Sequence, residues 1–152
     1  MSYTIGSTSV PICGVQLGFY ALGDGNANFT NSMMSHGPVS DNNTNNRIPW
    51  MRLPFPIKVY AISLTTDKDG EDGVNFSFSV RKDTGSTYSS ETTTASSTGS
   101  TISFNSIDER HHEYRIFSSQ PTFAKDDSIG LMVSTNADMQ CEFSVKLWCY
   151  QT

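Results

Sequence analysis

The segment that most constrains the fold runs from Ile57 to Lys82 and contains two runs of alternating apolar and polar residues. The second run reads VNFSFSVR, in which every other residue from Val74 to Val80 is apolar. A strand collects such residues on one buried side, whereas a helix would scatter them around its axis. An acidic, glycine-bearing loop joins the two runs. The segment therefore predicts an antiparallel β-hairpin with one buried face.

Further strands are predicted along the chain, separated by turn signals at spacings of about 8 to 16 residues. Alternating apolar residues predict them at Val15–Leu22, Thr101–Asn105, Glu113–Ser118, Ser128–Ser134 and Cys141–Tyr150. The Ser/Thr-rich stretch before Thr101 predicts a weak polar strand near Thr87–Thr94 and a turn at Thr98-Gly99. Charged residues make up only 16% of the chain, which disfavours long surface helices. The sequence predicts an all-β fold, an antiparallel β-sandwich.

Three segments lack this alternation. Residues 1 to 13 are predicted to form a short amino-terminal arm, and residues 14 to 152 a single domain. Gly23 to Asn46 is rich in asparagine and has no sustained periodicity, which predicts a long loop with an exposed or binding role. Arg47 to Pro56 contains three prolines, which confine it to a sheet edge or an extended lead-in.

Composition argues against several kinds of partner. The net charge is -5, and the ten Lys and Arg residues form no run, so we expect no nucleic-acid partner. We expect no membrane partner, because no window of about 18 apolar residues exists.

The start MSYTIGSTSV lacks the features of a signal peptide. Cys141 and Cys149 would lie roughly 26 Å apart along one strand, and Cys13 could pair with only one of them, so we expect reduced thiols.

The order of signals resembles a known family. An asparagine-rich loop gives way to the proline-punctuated strand, then to IKVYAISLTT, an acidic loop and VNFSFSVRKDTG, and later to AKDDSIGLMVS and CEFSVKLWCY. This pattern is similar to the jelly-roll domains of tailed-bacteriophage virion proteins, which are related in shape to the trimeric heads of the complement C1q and tumour-necrosis-factor group. Over residues 14 to 152 the resemblance implies a jelly roll of about eight strands and association as trimers. The Ser/Thr tract at residues 86 to 101 is longer than the family's usual hairpin.

The sequence predicts no metal site, no cofactor and no catalytic residue. The carboxylates between Asp67 and Asp72 lack the order of a calcium loop and are interpreted as solvated turn residues. The adjacent His111 and His112 would face opposite sides of a strand, and His36 has no Cys or acidic neighbour at ligand spacing. No G-x-S-x-G elbow or other catalytic motif is present, so we expect the protein not to be an enzyme.

The last strand carries bulky residues on both faces. Trp148 and Tyr150 oppose the apolar face that runs from Cys141 to Cys149, which indicates either a subunit interface or a loop of the same subunit over Trp148. The first run of the hairpin poses the same question, since alternation separates Tyr60, Ile62 and Leu64 from Val59 and Ala61. The candidate residues for a subunit or capsid interface are Tyr3, Ile5, Val10, Ile12, Trp50, Trp148 and Tyr150.

The leading hypothesis is a capsid decoration (cement) protein that binds the outer surface of a phage capsid as a homotrimer and stabilises it. Its partners would be itself and the major capsid protein, and it would be made in the host cytoplasm. Docking is expected to use the arm from Ser2 to Ile12 and one end of the sandwich, including the Gly23-to-Asn46 loop. The first alternative is the receptor-binding head of a tail or capsid fibre that recognises a host glycan. A cytokine-like or C1q-like ligand is the second, disfavoured by the missing signal peptide.

Overall fold

The computed structural model describes residues 2–5, 8–11, 14–22, 29, 32–34, 50–67, 73–83, 96–107, 110–137 and 142–152. In these ranges the chain forms strands and turns and no helix, so none of them contains a helix that could cross a membrane. The strands are β1 (Ser2–Ile5), β2 (Thr8–Pro11), β3 (Gly14–Leu22), β4 (Ser32–Met33), β5 (Met51–Arg52), β6 (Ile57–Thr66), β7 (Val74–Asp83), β8 (Ser96–Ile107), β9 (His112–Ile116), β10 (Thr122–Phe123), β11 (Ser128–Thr135) and β12 (Glu142–Gln151).

Two antiparallel sheets form the sandwich. The first sheet has the order β10-β6-β12-β3, with β9 also paired to β6, and the second has the order β4-β11-β7-β8, with β5 also paired to β11. The short strands β9 and β10 pair with different parts of β6, and β4 and β5 with different parts of β11, so each sheet is four strands wide. Between β3 and β12, six of the nine connections between the described strands pass from one sheet to the other. This is a jelly roll, as the resemblance implied.

The predicted β-hairpin between Ile57 and Lys82 is wrong. Strand β6 pairs with β9, β10 and β12 in the first sheet, whereas β7 pairs with β8 and β11 in the second. The apolar faces of the two strands pack against each other across the sandwich, since Ile62 and Leu64 share one core cluster with Phe76 and Phe78. Alternation identifies the buried face of each strand. It does not reveal whether the next strand lies beside it, about 5 Å away, or across the core, about 10 Å away.

The core lies between the two sheets and is filled by the residues that alternation placed inward. On β7 these are Val74, Phe76, Phe78 and Val80, and on β12 they are Phe143, Val145, Leu147 and Cys149. The ring of Phe78 lies 5.9 Å from that of Phe76, 5.9 Å from that of Phe104 and 6.3 Å from that of Phe143. The predicted inward faces of β3, β8, β11 and β12 are therefore confirmed within the ranges above.

A β-bulge breaks the alternation of β6. Ala61 pairs with Trp148 and Val59 with Cys149, which leaves Tyr60 as an extra residue on β6. Val59 and Ile62 both join the core, whereas Tyr60 and Ala61 form a separate cluster. The predicted grouping of Tyr60 with Ile62 is therefore wrong, because a bulge shifts every later side chain to the opposite face.

Three smaller predictions concern loops. The Gly23-to-Asn46 stretch includes strand β4 and three buried apolar residues, Phe29, Met33 and Met34, so it is not a wholly exposed loop. The predicted turn at Thr98-Gly99 is wrong, since these residues lie inside β8 at an irregularity of its pairing with β7. The predicted strand at Thr87–Thr94 lies outside the described residues. The proline-rich stretch does form an edge strand, β5.

Candidate functional site

The outer side of the first sheet carries a patch of large apolar side chains, which we call the aromatic face. The β6 bulge places two of its members there, and strands β9 and β12 on either side of β6 supply the rest. Ala61 is the register partner of both Ile116 on β9 and Trp148 on β12, so these three side chains form one row across three neighbouring strands. The aromatic face consists of Tyr60, Ala61, Tyr114, Ile116, Trp148 and Tyr150.

The centre of the aromatic face is packed within the subunit. Trp148 and Tyr150 are half-buried and lie against Tyr60 and Ala61, which are only 6% and 2% exposed. The rings of Tyr60 and Tyr150 are 6.1 Å apart and tilted by 41°. The indole Nε1 of Trp148 donates a hydrogen bond of 3.2 Å to Ser63 Oγ. Trp148 therefore covers a neighbouring strand of its own subunit, where the sequence had suggested either a loop or a subunit interface.

The margin of the aromatic face is exposed. Tyr114 is 59% exposed and Ile116 38%, and they are the exposed large hydrophobic residues of the part that the structure describes. Both lie on β9, which within the described residues pairs with β6 alone and so forms an edge of that sheet. An edge strand with outward apolar side chains offers both backbone hydrogen-bonding groups and apolar area to another chain. The aromatic face is therefore the best candidate surface for association.

The outer side of the second sheet has the opposite character, and we call it the serine face. It is formed by Asn75, Ser77, Ser79, Arg81, Thr101, Ser103, Asn105 and Ser134. Ser77, Ser103, Asn105 and Ser134, with Asn75 and Asn136, line most of a shallow cavity of about 190 Å³. Asn136 Oδ1 accepts a 2.7 Å hydrogen bond from the backbone of Asn75, which ties the β11 end to β7 at this cavity.

The structure separates the interface residues that the sequence had grouped. Trp148 and Tyr150 lie on the aromatic face. Trp50 is 5% exposed and lies on the other side of the sandwich, over Gly130 of the second sheet. Tyr3 and Val10 are register partners in a separate two-stranded sheet of β1 and β2, which also contains Ile5, and Ile12 lies outside the described residues.

Sequence reasoning missed four members of the aromatic face. Tyr114 and Ile116 were correctly placed on one side of a strand, but nothing in the alternation indicated that this side was the outer one. Tyr60 and Ala61 were missed because the bulge has no sequence signal in the run VYAIS. The one available sign was that β9 carries large residues on both sides, with Phe117 following Ile116.

An ionic cluster links β9 to β8 of the second sheet. Arg115 Nε donates to Glu113 Oε1 at 2.7 Å, and His111 Nε2 lies 3.1 Å from Glu113 Oε2. Arg115 also donates to the carbonyl oxygen of Ser103, and its guanidinium lies 5.1 Å from the Phe104 ring, so it connects the two sheets. The hydrogen bond from Arg115 is the main cause of a lowered pKa of Glu113.

The reactive groups in the described ranges are not arranged for catalysis. Thr65 Oγ1 and His112 Nδ1 are 2.7 Å apart, but they lie on an exposed strand surface, not in a cleft that excludes water. Cys149 is fully buried, and burial raises the pKa of its thiol to about 12. No group of three His, Cys, Asp or Glu residues that could hold a metal occurs in these ranges. Of the acidic loop, only Asp67 falls within them.

Comparisons with known proteins identify no family for this chain. No protein-family model matches it, and no curated protein matches it. Among solved structures, the globular domain of zebrafish complement 1qA protein is similar to it, with 10% sequence identity and a TM-score of 0.36. That match covers 88% of this chain and 96% of the other. The jelly-roll assignment therefore comes from the strand order and register described above.

Proposed function

We propose that this protein is a structural virion protein that binds the outer surface of a phage capsid as a homotrimer and stabilises it. The major capsid protein would be its partner, the capsid surface its location and the host cytoplasm its place of synthesis. The virion assignment is supported by the resemblance of the sequence to jelly-roll virion proteins. Association is supported by a single structural observation, the aromatic face.

The aromatic face suits a contact between copies of this chain. Its centre is already ordered by the Tyr60–Tyr150 contact and the Trp148–Ser63 hydrogen bond, so little side-chain freedom remains to be lost on association. Its margin, Tyr114 and Ile116, is the apolar area still in contact with water. Removing such area from water contributes about 25 cal/mol per Å². We therefore place the subunit contact of the trimer along strand β9.

Capsid docking would then use other parts of the chain. We assign it to the arm from Ser2 to Ile12, whose strands β1 and β2 form a sheet of their own, and to the end of the sandwich that carries the Gly23-to-Asn46 loop. A protein that spans neighbouring capsid subunits binds only the assembled shell. It therefore raises the free energy needed to take the shell apart.

Two measurements test the proposal. The mass of the purified protein in solution should be that of a trimer, and changing both Tyr114 and Ile116 to Glu should reduce it to a monomer. The matched control changes Thr101 and Ser103 to Glu, because these are exposed residues two apart on β8, which within the described residues is an edge strand of the second sheet. This control should remain trimeric. A monomeric wild-type protein at micromolar concentration would refute the trimer.

The second measurement concerns the capsid. Capsids purified without this protein should bind it in many copies and should then resist dissociation to a higher temperature. Host cells incubated with fluorescently labelled protein should stay unlabelled. If the protein labelled the cells and ignored the capsids, the decoration function would be wrong and the fibre-head alternative would be favoured.

The fibre-head alternative has one observation in its favour, the cavity of the serine face. Its lining of amide and hydroxyl groups, with a volume of about 190 Å³, suits a neutral, hydrogen-bonding ligand such as one sugar of a glycan. The change Ser77→Trp would fill this cavity. Binding to host-surface glycans that disappears in Ser77→Trp but persists in Lys146→Trp, which adds the same side chain to an exposed position of the first sheet, would support this alternative.

A further inference from the structure

Two buried nitrogen atoms lack a hydrogen-bond partner. In the part of the chain that the structure describes, Trp50 Nε1 and Arg81 Nε are the buried side-chain polar atoms with no acceptor. Buried N–H groups almost always find an acceptor, because an unpaired one loses its hydration without compensation. Each such group therefore calls for an explanation, and an unseen ligand is one of the common ones.

The two donors belong to residues that flank the same glycine. Arg81 is the register partner of Gly130, so its Cβ lies about 5 Å from the position that a Cβ of Gly130 would take. The indole of Trp50 covers that position. A Cβ on Gly130 would lie 2.9 Å from Trp50 Cζ3 and 3.0 Å from Trp50 Cε3. Both N–H groups therefore belong to residues adjacent to Gly130 on the outer side of the second sheet.

The chemistry of the two donors indicates the ligand. An indole N–H and a guanidinium N–H only donate, and the guanidinium is positively charged, so the matching ligand is an acceptor with negative charge. Nearby carboxylates are already engaged, including Asp83, which lies two residues after Arg81 on the same side of β7. Asp126 lies 3.6 Å from Arg52, and Asp127 accepts a 2.6 Å hydrogen bond from Ala124 N and pairs with Lys82.

We infer that Trp50 and Arg81, both adjacent to Gly130, form a binding site for an oxyanion, that is, a carboxylate or phosphate group. Gly130 is part of this site because any side chain there would displace the indole. The inference does not depend on the proposed function. A free anion or the acidic side chain of a partner protein could supply the same group.

The test uses the two tryptophans as reporters. In ¹⁵N-labelled full-length protein each indole N–H gives its own NMR signal, and the variant Trp148→Phe identifies the signal of Trp50 by elimination. Inorganic phosphate and acetate are titrated separately, with sodium chloride holding the ionic strength constant. We expect a saturable shift of the Trp50 signal and no saturable shift of the Trp148 signal, whose N–H is bonded to Ser63. Tighter binding of phosphate would indicate a phosphate site, and tighter binding of acetate would indicate a carboxylate site.

Variants then test the role of the guanidinium. Arg81→Gln should weaken binding at least tenfold, and Arg81→Lys should also weaken it, because lysine keeps the charge and lacks the Nε–H. The matched control is Arg52→Gln, an exposed arginine two residues after Trp50, which should leave binding unchanged. Thermal unfolding establishes that each variant is folded. The inference is wrong if neither anion shifts the Trp50 signal, as expected for a site filled by water, or if both Arg81 variants bind as the wild type does.

Discussion

The two outer faces of the sandwich differ in chemical character, although the strands that form them follow the same alternating pattern. Both sheets bury an alternating set of apolar residues, and both keep one tryptophan on the outer side. On the aromatic face Trp148 lies across the neighbouring strand and donates to Ser63. On the opposite sheet Trp50 lies over Gly130, and its N–H has no acceptor among the described residues. The paired indole N–H of Trp148 belongs to a complete structural contact, whereas the unpaired N–H of Trp50 calls for an explanation, for which we propose a ligand.

The two outer faces therefore suit different kinds of interaction, one with another protein and the other with a small ligand. The aromatic face ends in exposed apolar area on edge strand β9, which favours contact with another protein surface. The opposite sheet presents hydroxyl, amide and guanidinium groups, which favour small polar or charged ligands. If the comparison is right, changes on one face should leave the other unaffected, and only changes in the shared core should damage both.

The largest effect is expected from that shared core. Phe78 is fully buried and its ring contacts three other phenylalanines, so Phe78→Ala should lower the free energy of unfolding by about 3–5 kcal/mol. Urea denaturation at a fixed protein concentration measures this change in the free energy of unfolding. Its neighbour Ser77 points to the serine face, and Ser77→Ala should change stability by no more than about 0.5 kcal/mol. A loss below about 1.5 kcal/mol for Phe78→Ala would mean that the two sheets are less firmly packed than described.

The next largest effect on stability is expected at Gly130 of the second sheet, for which Gly14 of the first sheet gives the comparison. A Cβ on Gly130 would come within 2.5 Å of Met33 Cε as well as meeting the Trp50 ring. Gly130→Ala should therefore cost about 1–3 kcal/mol of stability through overpacking. A Cβ on Gly14 of β3 would meet only Cys149 O, at an ordinary 3.6 Å, so Gly14→Ala serves as the control and should be near neutral. Equal effects of the two changes would contradict the close approach of Trp50 to the sheet.

A smaller effect tests the difference between the two indoles. Trp148→Phe removes the donor to Ser63 Oγ, and Ser63 is only 4% exposed. In a double-mutant cycle with Ser63→Ala, the coupling free energy should be about 1 kcal/mol. The same cycle with Trp50→Phe in place of Trp148→Phe should give no coupling with Ser63, because Trp50 lies on the other sheet. A coupling below about 0.3 kcal/mol for Trp148 would show that its hydrogen bond adds nothing to stability.

The smallest effect concerns the edge between the two faces. The lowered pKa of Glu113 means that its carboxylate stabilises the folded state above its ordinary pKa of 4.5, and that this stabilisation is lost as the pH falls through the lower folded value. Glu113→Gln removes the ionisation, so the variant should be less stable than the wild type at pH 7 and should approach it in stability below pH 4.5. Thermal unfolding across this pH range measures the difference. A constant difference at all pH values would contradict the ionic role of Glu113.

The sequence predicted the strands better than their neighbours. Ile129, Leu131 and Val133, like the inward residues of β12, are buried as their alternation indicated, because one side of each strand must leave water for the fold to be stable. The hairpin prediction failed because adjacency along the chain does not decide which edge of a strand is paired. The candidate site was predicted only through Trp148 and Tyr150. Tyr60 and Ala61 reached it through a bulge, and Tyr114 and Ile116 through the choice of which side of β9 faces outward.

The amino-acid sequence by itself determined that this chain is all-β and which face of most strands is buried, since these follow from a period of two in local side-chain chemistry. Only the tertiary structure decided that β6 and β7 lie in different sheets, that Trp50 and Trp148 lie on opposite sides and that Trp50 and Arg81 both lie next to Gly130. These facts depend on pairing between residues far apart in the chain. Such pairing is fixed by how the two sheets pack together, which no short stretch of sequence records.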